Sequence, residues 1–238
     1  MSQSIKSMGN NVFEDSLYEN ISVMGNIKFV NEVQVNEVDA TGIIKANEYI
    51  KIEDMHLVGE LFAKKAAHIN RLNCTGKIDI TGDLSFEQFQ SKGTLDVEGH
   101  IAGNNIKFIG ILNCNEDCEV EQFDVNGAVN IKGLLNADTI KIRIHELSQI
   151  KEIGGNKITI YAGNNKKLLG LVKIITGSPR ILECESIEGD DIDINDVRVS
   201  VVRGKNIKIG DNVKAGHVEY SDSIDISSSA YVKECIQI

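Results

Sequence analysis

Five histidines, a run of aspartates, one close cysteine pair, a double glycine and a lysine–leucine cluster are the residues here that could do chemistry. His56, His68, His100, His145 and His217 could serve as general bases or metal ligands. Asp190, Asp191, Asp193 and Asp196 could hold a cation or supply paired carboxylates for glycoside chemistry. Cys114 and Cys118, spaced C-x3-C, would make half of a zinc site. Gly154–Gly155 is not followed by the Lys-Ser/Thr of a phosphate-binding loop, and no G-x-G-x-x-G opens a helix. Lys166, Lys167, Leu168, Leu169, Leu171, Val172 and Lys173 combine charge with apolar surface, the pattern of a contact with a membrane surface or a partner.

What these side chains can do depends on the frame that carries them, and that frame is a repeat. Gly25, Gly42, Gly59, Gly76, Gly93, Gly110 and Gly127 recur every 17 residues. Apolar residues hold the same phase. Ile21, Val38, Met55, Leu72, Phe89, Ile106 and Phe123 stand four before each Gly, and Ile27, Ile44, Leu61, Ile78, Leu95, Leu112 and Val129 two after. Each repeat contains three apolar pairs, and the members of a pair are two residues apart. That is strand periodicity, with the residue between them pointing outward. A helical solenoid would need spacings of three and four, so it is excluded. Three short strands and three corners make one triangular turn, and stacked turns make a parallel β-helix. The repeated Gly falls at a corner, where a positive φ is expected.

Periodicity returns near the C-terminus. Ile192/Ile194, Ile207/Ile209 and Ile224/Ile226 form one column of pairs. Val197/Val199, Val213/Ala215 and Ala230/Val232 form a second, and Val218/Tyr220 with Ile236/Ile238 fit a third. Gly204 and Gly210 fall at corners. The expected organisation is an N-terminal tail or partial cap turn over 1–20, seven turns over 21–142, a basic apolar insertion over 143–186, and further turns over 187–238. In the turn before Gly25, Met8 stands where Gly is expected.

Composition narrows the function classes. The 238 residues carry 25 Lys+Arg against 35 Asp+Glu, a net charge of −10, which argues against nucleic acid as the main partner. The charge reverses over 141–180, with eight basic residues and two acidic ones. No apolar run is long enough to cross a bilayer, and the first residues have no signal-peptide pattern. Five Cys at irregular spacings do not read as a disulfide framework. The expectation is a cytoplasmic protein.

Placed on the β-helix, the reactive side chains lose their promise. The five histidines occupy unrelated phases, with His56 and His68 outward. Cys74, Cys114 and Cys118 fall in inward columns, where they serve as small hydrophobes. Asp191 and Asp193 alternate with inward Ile192 and Ile194 on a solvated face. Hexapeptide β-helices step in multiples of six, which a period of 17 is not. No catalytic, metal or cofactor site is assigned, and no small-molecule substrate.

Five motifs follow in order: GLLNADTIKI (Gly133–Ile142), EIGGNKI (Glu152–Ile158), ESIEGDDIDI (Glu185–Ile194), VVRGKNIKIG (Val201–Gly210) and VEYS (Val218–Ser221). With the repeat, they resemble the bactofilin-related, polymer-forming cytoskeletal proteins of bacteria. The resemblance implies a right-handed β-helix whose ends stack without nucleotide into filaments. It implies a non-enzymatic scaffold for cell shape, envelope organisation or motility, at the inner face of the cell membrane. Its partners are then further copies of itself, a paralogous subunit and a peripheral membrane contact. The alternating Ala230, Val232, Ile236 and Ile238 are the candidate assembly surface. The alternative is a monomeric or dimeric protein-binding module that does not polymerise.

Overall fold

The computed structural model describes residues 3–163 and 179–238. They form thirteen strands and, among the described residues, no helix. The chain divides into two compact units, Met1–Glu121 and Gln122–Ile238. Each is a parallel β-solenoid in which successive strands pair in chain order.

The first unit contains β1 (Gln3–Phe13), β2 (Leu17–Phe29), β3 (Val33–Ala46), β4 (Ile50–Ala63), β5 (Ala67–Ile80), β6 (Leu84–Val97) and β7 (Ile101–Cys114). From β2 to β7 every paired residue lies 17 from its partner, so Val38, Met55, Leu72, Phe89 and Ile106 form one column. All five are buried, as the apolar phase requires. Each fully buried Ile, Leu or Phe contributes about 1.5–3 kcal/mol, and the columns repeat that gain at every turn.

The three apolar pairs of a turn are not three separate strands. The strand runs on through two of the three bends, with the ladder interrupted at the first, as at Asn36 and Glu53, so each turn is one strand of 13 or 14 residues from β2 to β7. Only one corner leaves the strand, as at 47–49 and 64–66. Even there the backbone keeps its partners: Asn47 N donates to Phe29 O (3.1 Å) and Lys64 N to Ala46 O (3.0 Å).

The N-terminal stretch is a paired turn. Gly9 lies opposite Gly25, a step of 16, so Gly9 and not Met8 takes the corner. Its φ of +89° continues the positive-φ series. Phe13, Tyr18 and Phe29 close this part of the core, with Phe13 5.2 Å from Tyr18 and 5.6 Å from Phe29 between ring centroids.

The second unit takes β8 (Cys118–Ile144) from Gln122 onward, then β9 (Ser148–Ala162), β10 (Leu182–Ile194), β11 (Val197–Ile209), β12 (Lys214–Ile226) and β13 (Tyr231–Gln237). Its register steps vary. Ile140 pairs with Ile158 after 18 residues, Ile158 with Ile192 after 34, Ile192 with Ile207 after 15 and Ile207 with Ile224 after 17. Among the described residues, most of the region expected to be an irregular insertion is therefore ladder: β9 lies wholly inside 143–186, and β10 begins within it. Among the described residues of this region, 145–147, 163 and 179–181 lie outside the strands.

Candidate functional site

The most regular feature is the glycine column of the first unit. Gly25, Gly42, Gly59, Gly76, Gly93 and Gly110 have φ between +130° and +145°. In Gly127, of the second unit, it is +158°. L-residues avoid this region because of their Cβ. Space imposes the same choice. A Cβ on Gly42, Gly59, Gly76, Gly93 or Gly110 would overlap the carbonyl oxygen of the glycine one turn earlier. The corner glycines thus let the backbones of neighbouring turns touch. The second unit has its own column, Gly155, Gly189 and Gly204, with the same close approach to the carbonyl below. Only Gly204 of these is legible as a corner, because steps of 34 and 15 hide the alignment of the others.

The potentially reactive side chains are tied into pairs between turns. His68 Nδ1 lies 2.8 Å from Ser85 Oγ, and His56 and His100 are exposed. His145 is half-buried beside Asn126, and burial together with Arg180 and Arg143 lowers its pKa. Asp190 pairs with Lys205 at 3.0 Å, and Asn206 donates to Asp191 at 2.9 Å. Asp193 faces Lys208 at 3.6 Å. Asp196 has φ +58° and accepts hydrogen bonds from the backbone N of Ala162 and the side chain of Asn212. The aspartate run is thus divided among neighbouring turns. Arg71 grips Asp54 through two nitrogens and holds its carboxyl below the usual range. Among the described residues, no group of three or more His, Cys, Asp or Glu is placed to hold a metal ion.

The cysteines are core residues where the phase puts them inward. Cys74, Cys114 and Cys118 are buried, and burial raises all three thiol pKa values, Cys74 to about 11. One polar residue joins that column. Ser91 is buried and donates to the carbonyl of Cys74 at 3.0 Å, so its hydroxyl costs the core no unpaired group.

The candidate assembly residues separate. Val232 lies opposite buried Ala215, in an inward column. Ile236 does not lie opposite Val218, as the alternation predicts, because Cys235 does. Ile236 is opposite Glu219 on the outer face. A register one residue away from the expected one reverses which side chains point inward. Ala230 precedes β13, and Ile238 is 74% exposed. In the first unit, Ser7 and Asn11 of the edge strand β1 occupy the inward columns of Val23 and Ile27.

Lys166, Lys167, Leu168, Leu169, Leu171, Val172 and Lys173 lie outside the described residues. Among the described residues, no helix is long and apolar enough to cross a membrane.

Over 100 residues the chain is 31% identical to the uncharacterized protein YhbF of Bacillus subtilis (strain 168). The match takes in 42% of this chain and 39% of that relative's length. No family model matches the chain. No solved structure matches it.

Proposed function

We propose that this protein is a non-enzymatic structural scaffold that self-assembles end to end, without nucleotide, into filaments. The observation that carries this reading is the pair of edge strands. Among the described residues, β1 and β13 each pair on one side only, so their outer edges offer backbone groups to a further turn. The apolar columns extend to that edge: Ile192 and Ile207 are buried, but Ile226, at the end of the neighbouring column, is 40% exposed. The flat outer faces, with their acids and bases paired between turns, suit a scaffold better than a catalyst. The likeness to bactofilin-related proteins points the same way. It adds a cytoplasmic location at the inner face of the membrane, and a paralogous subunit as a second partner.

A specific observation favours a second reading. Ser7 and Asn11 place polar side chains in the columns at the β1 edge. That edge is a poorer surface for stacking, which would limit growth and leave a dimeric or monomeric protein-binding module.

Negative-stain electron microscopy of the purified full chain, without nucleotide, tests both. Filaments support the scaffold, and Val232→Lys should abolish them while the circular dichroism of the fold is kept. Uniform small particles at moderate and low salt support the module. Filaments unaffected by Val232→Lys would remove the β13 edge from the assembly surface.

A further inference from the structure

The last strand is held differently from the others. β13 pairs with β12 at six positions, against ten between β11 and β12. All seven residues of β13 but Val232 are exposed. What joins the outer faces of these turns is a line of alternating charge. Arg203 of β11 donates to Glu219 of β12 at 2.6 Å. His217 of β12 stands 2.9 Å from Glu219 through Nε2 and 3.1 Å from Glu234 of β13 through Nδ1.

The geometry points to a pH-operated latch, in which the His217 imidazolium bridges Glu219 and Glu234 and so clamps β13 onto the ladder. Both ring nitrogens face carboxylate oxygens. A neutral imidazole has one N–H and can donate to only one of them, whereas the imidazolium donates to both. Deprotonation therefore removes one of the two bonds. Glu219 keeps Arg203 as a partner. Among the described residues Glu234 has no other ion pair, so β13 is the side that loses its tie. The groups facing His217 are Arg203 on β11, Glu219 on β12 and Glu234 on β13, and the residue directly opposite it on β11 is Val201.

The hydrogen bond to Glu219 is the main cause that raises the pKa of His217, and Glu234 adds to it, while partial desolvation opposes both. A raised pKa in the folded state gives a contribution that is complete below about pH 6.5, the ordinary histidine value. It disappears as pH rises through the folded-state pKa. The latch is closed in mild acid and open in mild alkali.

Hydrogen exchange of the full-length protein between pH 5.5 and 8.5, corrected for intrinsic exchange, reads this directly. Protection of 231–237 should fall about two- to five-fold across the range, the size expected of one exposed charge pair. Protection of β5 should stay level. In His217→Gln and in Glu234→Gln, β13 should show the weaker protection at every pH. A wild-type β13 with pH-independent protection would overturn the latch, as would an equal fall in His217→Gln. Titration of the His217 ring by NMR is the second readout, and a midpoint below the ordinary value would also overturn it.

Discussion

Gly59 stacks so closely on Gly42 that a Cβ at position 59 would overlap the carbonyl oxygen of Gly42. The same relation holds at each step of the column from Gly42 to Gly110, and φ there is positive as well. Two separate penalties therefore act on any substitution: backbone strain and collision with backbone that cannot move aside.

Alanine substitutions separate the two penalties. Gly9 has φ +89° and nothing within reach of a Cβ, so Gly9→Ala should cost only the strain, about 1–2 kcal/mol. Gly59→Ala adds the collision and should cost clearly more. Gly154, where a Cβ would meet the Asn136 side chain at ordinary contact distance, should tolerate Ala with little change. Urea unfolding midpoints of the three variants check the order.

Inside and outside positions should differ sharply. Ile44 is fully buried in an inward column, so Ile44→Asp places an unpaired carboxylate among apolar turns and should cost several kcal/mol. Asp39 is exposed, and Asp39→Asn should change stability by less than about 0.5 kcal/mol. Equal shifts in thermal unfolding would contradict the placement of both residues.

Thiol labelling should count the turns' interiors. Cys235 is exposed and should react with iodoacetamide in the native protein. Cys74, Cys114 and Cys118 are buried with raised pKa values, and half-buried Cys184 is pushed up to about 12. The native protein should take up one equivalent quickly and all five after denaturation. Rapid uptake of more than one would mean that these turns open readily.

His145 should make the fold sensitive to acid. Burial first, then Arg180 and Arg143, lower its pKa, so the unfolded chain binds this proton more readily than the folded one. Its cost to stability is absent above about pH 6.5 and grows as pH falls toward the lower folded-state pKa. His145→Gln should lose less stability than the wild type between pH 7.5 and 5.5, measured by urea midpoints. An identical loss would show that His145 does not contribute.

In the first unit, the chain order itself carries the architecture. Six columns of apolar residues and one of glycine keep a period of 17, and a period held that strictly leaves one arrangement that buries every column. The alternation also assigns Cys74, Cys114 and Cys118 to the core and His56 to the surface, where they are found. The step of 15 from β10 to β11 is legible in the column of Ile192/Ile194 and Ile207/Ile209; what escaped the sequence lies where other steps change: Gly9 at 16, β8 to β9 at 18 and 19, β9 to β10 at 34. There, counting residues no longer identifies partners. Backbone hydrogen bonds and side-chain fit between adjacent turns select the register. Between β12 and β13 the step is again 17, so Cys235 follows Val218 and Glu234 follows His217; there the alternation of Ile236 and Ile238 suggested a step of 18 that the backbone pairing does not take. The repeat determined the kind of fold and which residues form its core. The contacts between neighbouring turns decided which charges meet, because a parallel ladder fixes its partners through space and not through spacing along the chain.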